Sequence, residues 1–133
     1  MNWRKLLFWR KPRVVVVATY DPKERREGDL RIIEQIARDG ADMSQPREVV
    51  HFFFMPTAEA AHRATDSLLM EGYRIEVAKT ADSDRNTVNP WMALVRNEAI
   101  VSIDAVDSFY ERFTALARSF GGQYSGWEAD GRP

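Results

Sequence analysis

Apolar positions along the chain follow two periods, and each change of period marks an element. Leu30, Ile33, Ile36 and Ala37 recur at helical spacing. Asp29 is placed to cap that helix and Gly40 to stop it, which predicts a first helix over 29–39. Glu48 to Met55 (EVVHFFFM) is apolar at both odd and even positions, as in a strand covered on both faces. Pro56 and Thr57 close that strand and open a second helix, with Ala61, Ala64, Leu68 and Leu69 on one stripe and Gly72 as its stop. Tyr73 to Lys79 alternates, with Tyr73, Ile75 and Val77 on one side and Arg74 and Glu76 on the other, which is the pattern of a half-exposed strand. Thr80 to Pro90 is polar and reads as a hairpin loop, and Trp91 to Val95 is again apolar on both parities. Ser102 caps the longest helix, along which Val106, Phe109, Tyr110, Phe113, Leu116, Ala117 and Phe120 recur at spacings of three and four. Gly121–Gly122 breaks it, and Gln123 to Ala129 forms a last short strand.

From Arg47 onward the order is β-α-β-β-α-β, two split β-α-β units in tandem. The predicted fold is therefore α+β, a ferredoxin-like two-layer sandwich preceded by an extra N-terminal helix. That arrangement puts the first and third strands in the centre and the second and fourth at the edges. The two strands apolar on both parities are the first and third, and the charge-bearing ones are the second and fourth, where edges need protection. An α+β sandwich of another topology shares the same pattern. Residues 1–26 form an irregular, basic preface in which Val14 to Tyr20 is β-branched enough to pair as an N-terminal strand. The domain itself is expected over 27–130, with its sandwich core at 47–129.

At 133 residues the chain has room for one domain with a real core. It contains no cysteine and only two histidines, which excludes disulfides, thiolate metal sites, a cysteine nucleophile and a three-histidine site. The net charge of −1 hides an asymmetry. Arg4, Lys5, Arg10, Lys11 and Arg13 place +5 in the first thirteen residues, which leaves 14 basic against 20 acidic residues in the remainder. A body near −6 gains little from counterion release, so direct nucleic-acid binding is not expected. No stretch is long enough to span a membrane, and the apolar start is split by Arg10, Lys11, Pro12 and Arg13 and lacks a cleavage site. A soluble, cytoplasmic protein is expected. Residues 2–10 place Trp3, Leu6 and Leu7 on one helical stripe among basic residues, a candidate for weak contact with an anionic membrane surface. A segment that short is marginal as an isolated helix, so a disordered tail is the favoured unbound state.

Three segments, GADMSQPREVVHFFFM (Gly40 to Met55), EGYRIEV (Glu71 to Val77) and GGQYSGWE (Gly121 to Glu128), resemble the family of the ribonuclease E regulator B. The tail is the most specific, because the family pattern there is close to Gly-Gly-x-Tyr-Asp-Gly-Trp-Glu. Gly121, Gly122, Tyr124, Gly126, Trp127 and Glu128 match it, and Ser125 stands where the family usually has Asp. The resemblance implies a ferredoxin-like fold and a non-catalytic protein that binds a ribonuclease E-type endonuclease and damps its activity. It implies no catalytic residue, and the sequence itself shows no zinc spacing or glycine-rich phosphate loop, so no metal or cofactor is expected.

Each candidate residue has a structural reading beside the functional one. His51, mid-strand between Val50 and Phe52, lacks any accompanying ligand or carboxylate pair and favours a buried, hydrogen-bonded role. His62 lies on a helix and favours exposure. Phe52–Phe54 invites comparison with RNA-recognition sheets but lacks their glycine and flanking basic run, so core filling is favoured. Asp42, Asp82 and Asp84 read as turn and solvation residues. Tyr124, Gly126, Trp127 and Glu128 form the candidate protein-binding strand, since a mid-strand glycine allows close backbone approach and tyrosine and tryptophan anchor interfaces. The alternative is that Trp127 caps the core. At the level of function, the alternative to a nuclease regulator is a ferredoxin-like module that binds a small molecule. An enzyme is the weakest reading, because no nucleophile–base or paired-carboxylate constellation is present.

Overall fold

The computed structural model describes residues 22–80 and 88–130. Within them the chain runs α1 (Pro22–Arg38), β1 (Arg47–Met55), α2 (Ala58–Met70), β2 (Arg74–Lys79), β3 (Trp91–Ala99), α3 (Ile103–Ser119) and β4 (Gln123–Ala129). The strands form one antiparallel sheet in the order β2-β3-β1-β4. This is an α+β ferredoxin-like sandwich with one helix added in front. The doubly apolar strands β1 and β3 lie in the centre, and the charge-bearing β2 and β4 lie at the edges.

Local signals fix the element ends. Thr57 and Ser102 are extended N-caps whose side chains accept from Ala60 N (3.0 Å) and Ala105 N (3.1 Å), satisfying donors that a helix start leaves open. Thr80 N donates to Pro90 O at 2.9 Å and closes the β2–β3 hairpin. Residues 81–87 of its loop, including Asp82 and Asp84, lie outside the described residues, as do residues 1–21 of the preface with the strand expected at Val14 to Tyr20.

One boundary departs from the sequence reading. The first helix starts at Pro22 rather than at Asp29. Proline suits a first helical position, because its missing N–H would go unsatisfied there anyway. The charge run Lys23 to Glu27 is thus the solvated start of a helix and not part of an irregular preface. Asp29 sits inside α1, buried, and caps nothing.

The sheet is covered by all three helices on one face. Phe53, Met55, Ala93, Val95 and Tyr124 from the strands meet Ala61, Ala64 and Leu68 of α2 and Phe113 and Ala117 of α3. At one end of that layer Ile36 of α1 packs with Val49, Val101, Val106 and Trp127. The opposite face carries a separate apolar group, Val50, Phe52, Phe54, Met92 and Leu94, drawn from β1 and β3 alone. The double parity of β1 is therefore real: one set of side chains faces the helices and the other set faces away.

Candidate functional site

β4 is an edge strand paired on its inner side with β1. In a regular strand residues three apart point to opposite faces. Tyr124 and Trp127 nevertheless both face the helices, because the register shifts between Phe52 and Phe53. Phe52 pairs with Gly126 and Phe53 with Tyr124, leaving Ser125 as the extra residue of a β-bulge. Gly126 takes φ +111°, a conformation that favours glycine, and a Cβ there would lie 3.1 Å from the Tyr110 hydroxyl. At the start of the strand a Cβ on Gly122 would lie 2.6 Å from the Phe54 carbonyl oxygen, so only glycine lets the backbones approach.

The bulge delivers two polar anchors to the core. Tyr124 shares a 2.8 Å hydrogen bond with His51 Nδ1, between rings of Phe109 and Phe113 whose centroids lie 4.7 and 4.5 Å from the imidazole. His51 is fully buried, its Nε2 has no hydrogen-bond partner, and burial pushes its pKa down to about 3. It is held neutral, a structural histidine as the sequence favours. Trp127, 6% exposed, donates its indole N–H to Asp29 Oδ1 at 3.0 Å. The other oxygen of Asp29 accepts from Arg25 at 2.6 Å, and Arg25 also pairs with Asp107 of α3 and lies 4.3 Å from the Tyr110 ring centre. Burial pushes the Asp29 carboxyl above its ordinary range, against the pull of Arg25 and Trp127, while the arginines hold Asp107 below its own. This network ties α1, α3 and β4 together across the end of the sandwich.

Of the four candidate residues, Tyr124, Gly126 and Trp127 are buried and Glu128 is half-buried. Glu128 pairs with Val50, on the face away from the helices. Along β4 the feature turned outward is the strand's backbone edge, with which no described strand pairs. Phe52, Phe53 and Phe54 are all buried, and His62 is exposed. Asp42 accepts from Ser44 N (3.0 Å) and Ser44 Oγ (2.6 Å), the turn role expected of it.

Sequence reasoning missed Arg25, Asp29 and Asp107 as partners of the tail. The signal available was an Arg25/Asp29 pair four apart, which meets on one helix face, together with a tryptophan that needs an acceptor once buried. Among the described residues no group of three or more metal-ligating side chains gathers, and no helix is long and apolar enough to cross a membrane.

The fold and its last strand define a ferredoxin-like domain with a bulged, tryptophan-anchored edge. Residues 26–129 match the family described as regulator of ribonuclease activity B, and the chain belongs to that family. The match begins in α1 and ends on the last residue of β4, so it takes in both halves of the Asp29–Trp127 bond. The family is one of regulators of ribonuclease activity. Comparison with curated proteins returns no match.

Proposed function

We propose that this protein binds a ribonuclease E-type endonuclease and lowers its cleavage of RNA without itself binding RNA or catalysing a reaction. The observation that carries the reading is the family match over 26–129. The acting unit is the single ferredoxin-like domain of 27–130 together with the first turn of α1. A body near −6 supports the mode, because it favours encounter with a basic accessory segment of the nuclease by electrostatic steering. The contact runs along Tyr124–Glu128. There Tyr124, Gly126 and Trp127 set the shape of β4, while its outer edge accepts an extended segment by strand addition and Glu128 adds charge. Residues 2–10 carry a separate expectation of contact with anionic lipid, tested by vesicle sedimentation at rising salt.

The test is to assay the nuclease from the same cell with and without this protein, and to measure RNA binding by the protein alone. Reduced cleavage with co-purification and no RNA binding is expected. Unchanged cleavage at micromolar excess, with no co-purification, would overturn the reading in favour of a small-molecule module.

A further inference from the structure

β2 lies at the sheet edge opposite β4, and among the described strands it pairs with β3 alone. Its register with β3 runs without a shift from Arg74↔Arg96 to Lys79↔Trp91, and Thr80 N continues it by donating to Pro90 O at 2.9 Å. Along an antiparallel pair, hydrogen-bonded and non-hydrogen-bonded positions alternate. Positions 74, 76, 78 and 80 therefore bond to β3, and Ile75, Val77 and Lys79 turn their backbone N–H and C=O outward. Side chains sort by the same parity. Ile75 and Val77 stand opposite Val95 and Ala93 on the helix face, where with Tyr73 they pack on the core and stay half-buried. Arg74 and Glu76 stand on the other face, opposite Arg96 and Leu94.

This edge is complementary to itself. Two copies related by a two-fold axis bring outward positions together only when the axis passes through a residue position and not between two. Centres at Arg74 and at Glu76 set like charges against each other. Centres at Val77 and at Ala78 set Lys79 against an apolar side chain. A centre at Ile75 matches every position: Arg74 of each copy meets Glu76 of the other, Tyr73 of each meets Val77 of the other, and Ile75 meets itself. Charge on this edge thus blocks the wrong registers and admits one. Within one copy Arg74 pairs with Glu48 and Glu76 with Arg96. A guanidinium with its five donors, and a carboxylate with its two oxygens, can hold a second partner each.

We propose that β2 is a homodimer interface, at which two copies pair antiparallel about Ile75 and join their four-stranded sheets into one. The helix layer agrees. α2 packs on β2 and β3, so continuing the sheet through β2 sets the second copy's α2 two strand spacings away, about 10 Å, which is the separation of packed helices. Arg63 and Glu71 reach α3 from one flank of α2, through the Phe120 ring and Arg112. At 100° per residue Leu69 falls on the opposite flank, over the β2 edge, and it is 54% exposed. The dimer covers it with the second α2. The chain's net charge of −1 sets up little repulsion between copies. Both β4 edges stay at the outer ends of the joined sheet, so this contact lies beyond the regulatory reading and competes with nothing in it.

Sedimentation equilibrium of the full chain at micromolar concentrations should show a dimer; a monomer throughout that range would overturn the proposal and leave the edge to another occupant. Arg74→Glu changes an exposed side chain and sets it against Glu76 of the other copy. It should weaken the dimer at least tenfold, and unchanged association would place the contact elsewhere and overturn the proposal. The absence of cysteine lets disulfides read the register. Positions 74 and 76 of opposite copies form a non-hydrogen-bonded pair with Cα atoms about 4.5 Å apart, within disulfide range. Arg74→Cys chains mixed with Glu76→Cys chains should therefore cross-link to each other several-fold faster than either does to itself. Faster cross-linking within one variant would overturn the register. The sedimentation results stand whether or not the cysteine variants fold. No step uses the nuclease, so the dimer and the regulatory reading fail separately.

Discussion

Acidification should destabilise this domain through His51. The imidazole sits among Phe109, Phe113 and Tyr124, fully buried, with a pKa near 3 against 6.5 for an ordinary histidine. Between those values the unfolded chain holds a proton that the folded one refuses. Stability is therefore complete above about pH 6.5 and falls as the pH drops toward 3, by about 1.4 kcal/mol per pH unit. Going from pH 7.5 to 4.5 should remove about 2.7 kcal/mol, a large share of the 5–15 kcal/mol typical of a domain. The control is His51→Leu. It deletes the titration, leaves the Tyr124 hydroxyl short of a partner at a cost of about 1–3 kcal/mol, and relieves a similar penalty at the unpaired Nε2. The two proteins should be within about 1 kcal/mol at pH 7.5, with the variant the more stable by about 2–3 kcal/mol at pH 4.5. Asp42 and Asp107, held low, lose their contribution only below the ordinary carboxylate range, and Asp29, held high, acts in the opposite direction. All three cancel in the difference between the two proteins. Urea unfolding at half-unit pH steps reads the curves. Parallel curves over pH 7.5–4.5, or a His51 resonance titrating near pH 6.5, would refute the argument.

Three further outcomes follow from β4 and its anchors. Trp127→Ala should cost about 3–5 kcal/mol in unfolding free energy, and Trp127→Phe about 1–2 kcal/mol, because the phenyl ring fills space but leaves Asp29 without its indole donor; a cost under about 1 kcal/mol for the alanine variant would show that the indole is not a core group. Asp29→Ala should lose about 2 kcal/mol and should be less than additive with Trp127→Phe in the double variant, because both remove the indole bond while the Arg25 pairing is lost with Asp29 alone; full additivity in a double-mutant cycle would reject the pairing. Gly122→Ala should prevent β4 from docking or cost more than about 2 kcal/mol, since the added carbon meets the thioether end of the fully buried Met55 and, at 2.6 Å, the Phe54 carbonyl oxygen, which cannot swing aside; near-native melting would show that the backbones do not approach so closely.

The order of elements was legible because each strand and helix of the sandwich announces itself by period. β1 and β3 carry apolar side chains on both parities, and α3 keeps an unbroken stripe from Val106 to Ala117. Edge and centre were legible for the same reason, since charge on β2 and β4 marks strands that meet water. The start of α1 was not legible. Its first turns, Lys23 to Gly28, contain no apolar residue, so no stripe exists to be read, and the local capping rule settled on Asp29. The rule was overridden by tertiary structure: Asp29 serves Trp127, 98 residues away in sequence. The bulge escaped for a similar reason. Alternation from Tyr124 sends Trp127 to the far face, and only the pairing with β1 shows that Ser125 is an extra residue.

With the bulge in place, each letter of the Gly-Gly-x-Tyr-Ser-Gly-Trp-Glu tail acquires a physical reason or conspicuously lacks one. Gly122 clears the Phe54 carbonyl, Tyr124 partners His51, Gly126 takes the left-handed turn, and Trp127 reaches Asp29. Four residues of the motif are thus spent on seating an edge strand. Ser125 and Glu128 have no such task on the helix side. Ser125 is the surplus residue of the bulge, and its Oγ has no hydrogen-bond partner. Glu128 pairs with Val50 on the other face. Position 125 is therefore one that the seating of the strand does not constrain. A change there leaves the four anchors of the strand intact. By the same logic, a substitution at 125 should be tolerated by the fold, whereas substitutions at 122, 124, 126 and 127 should unseat the strand.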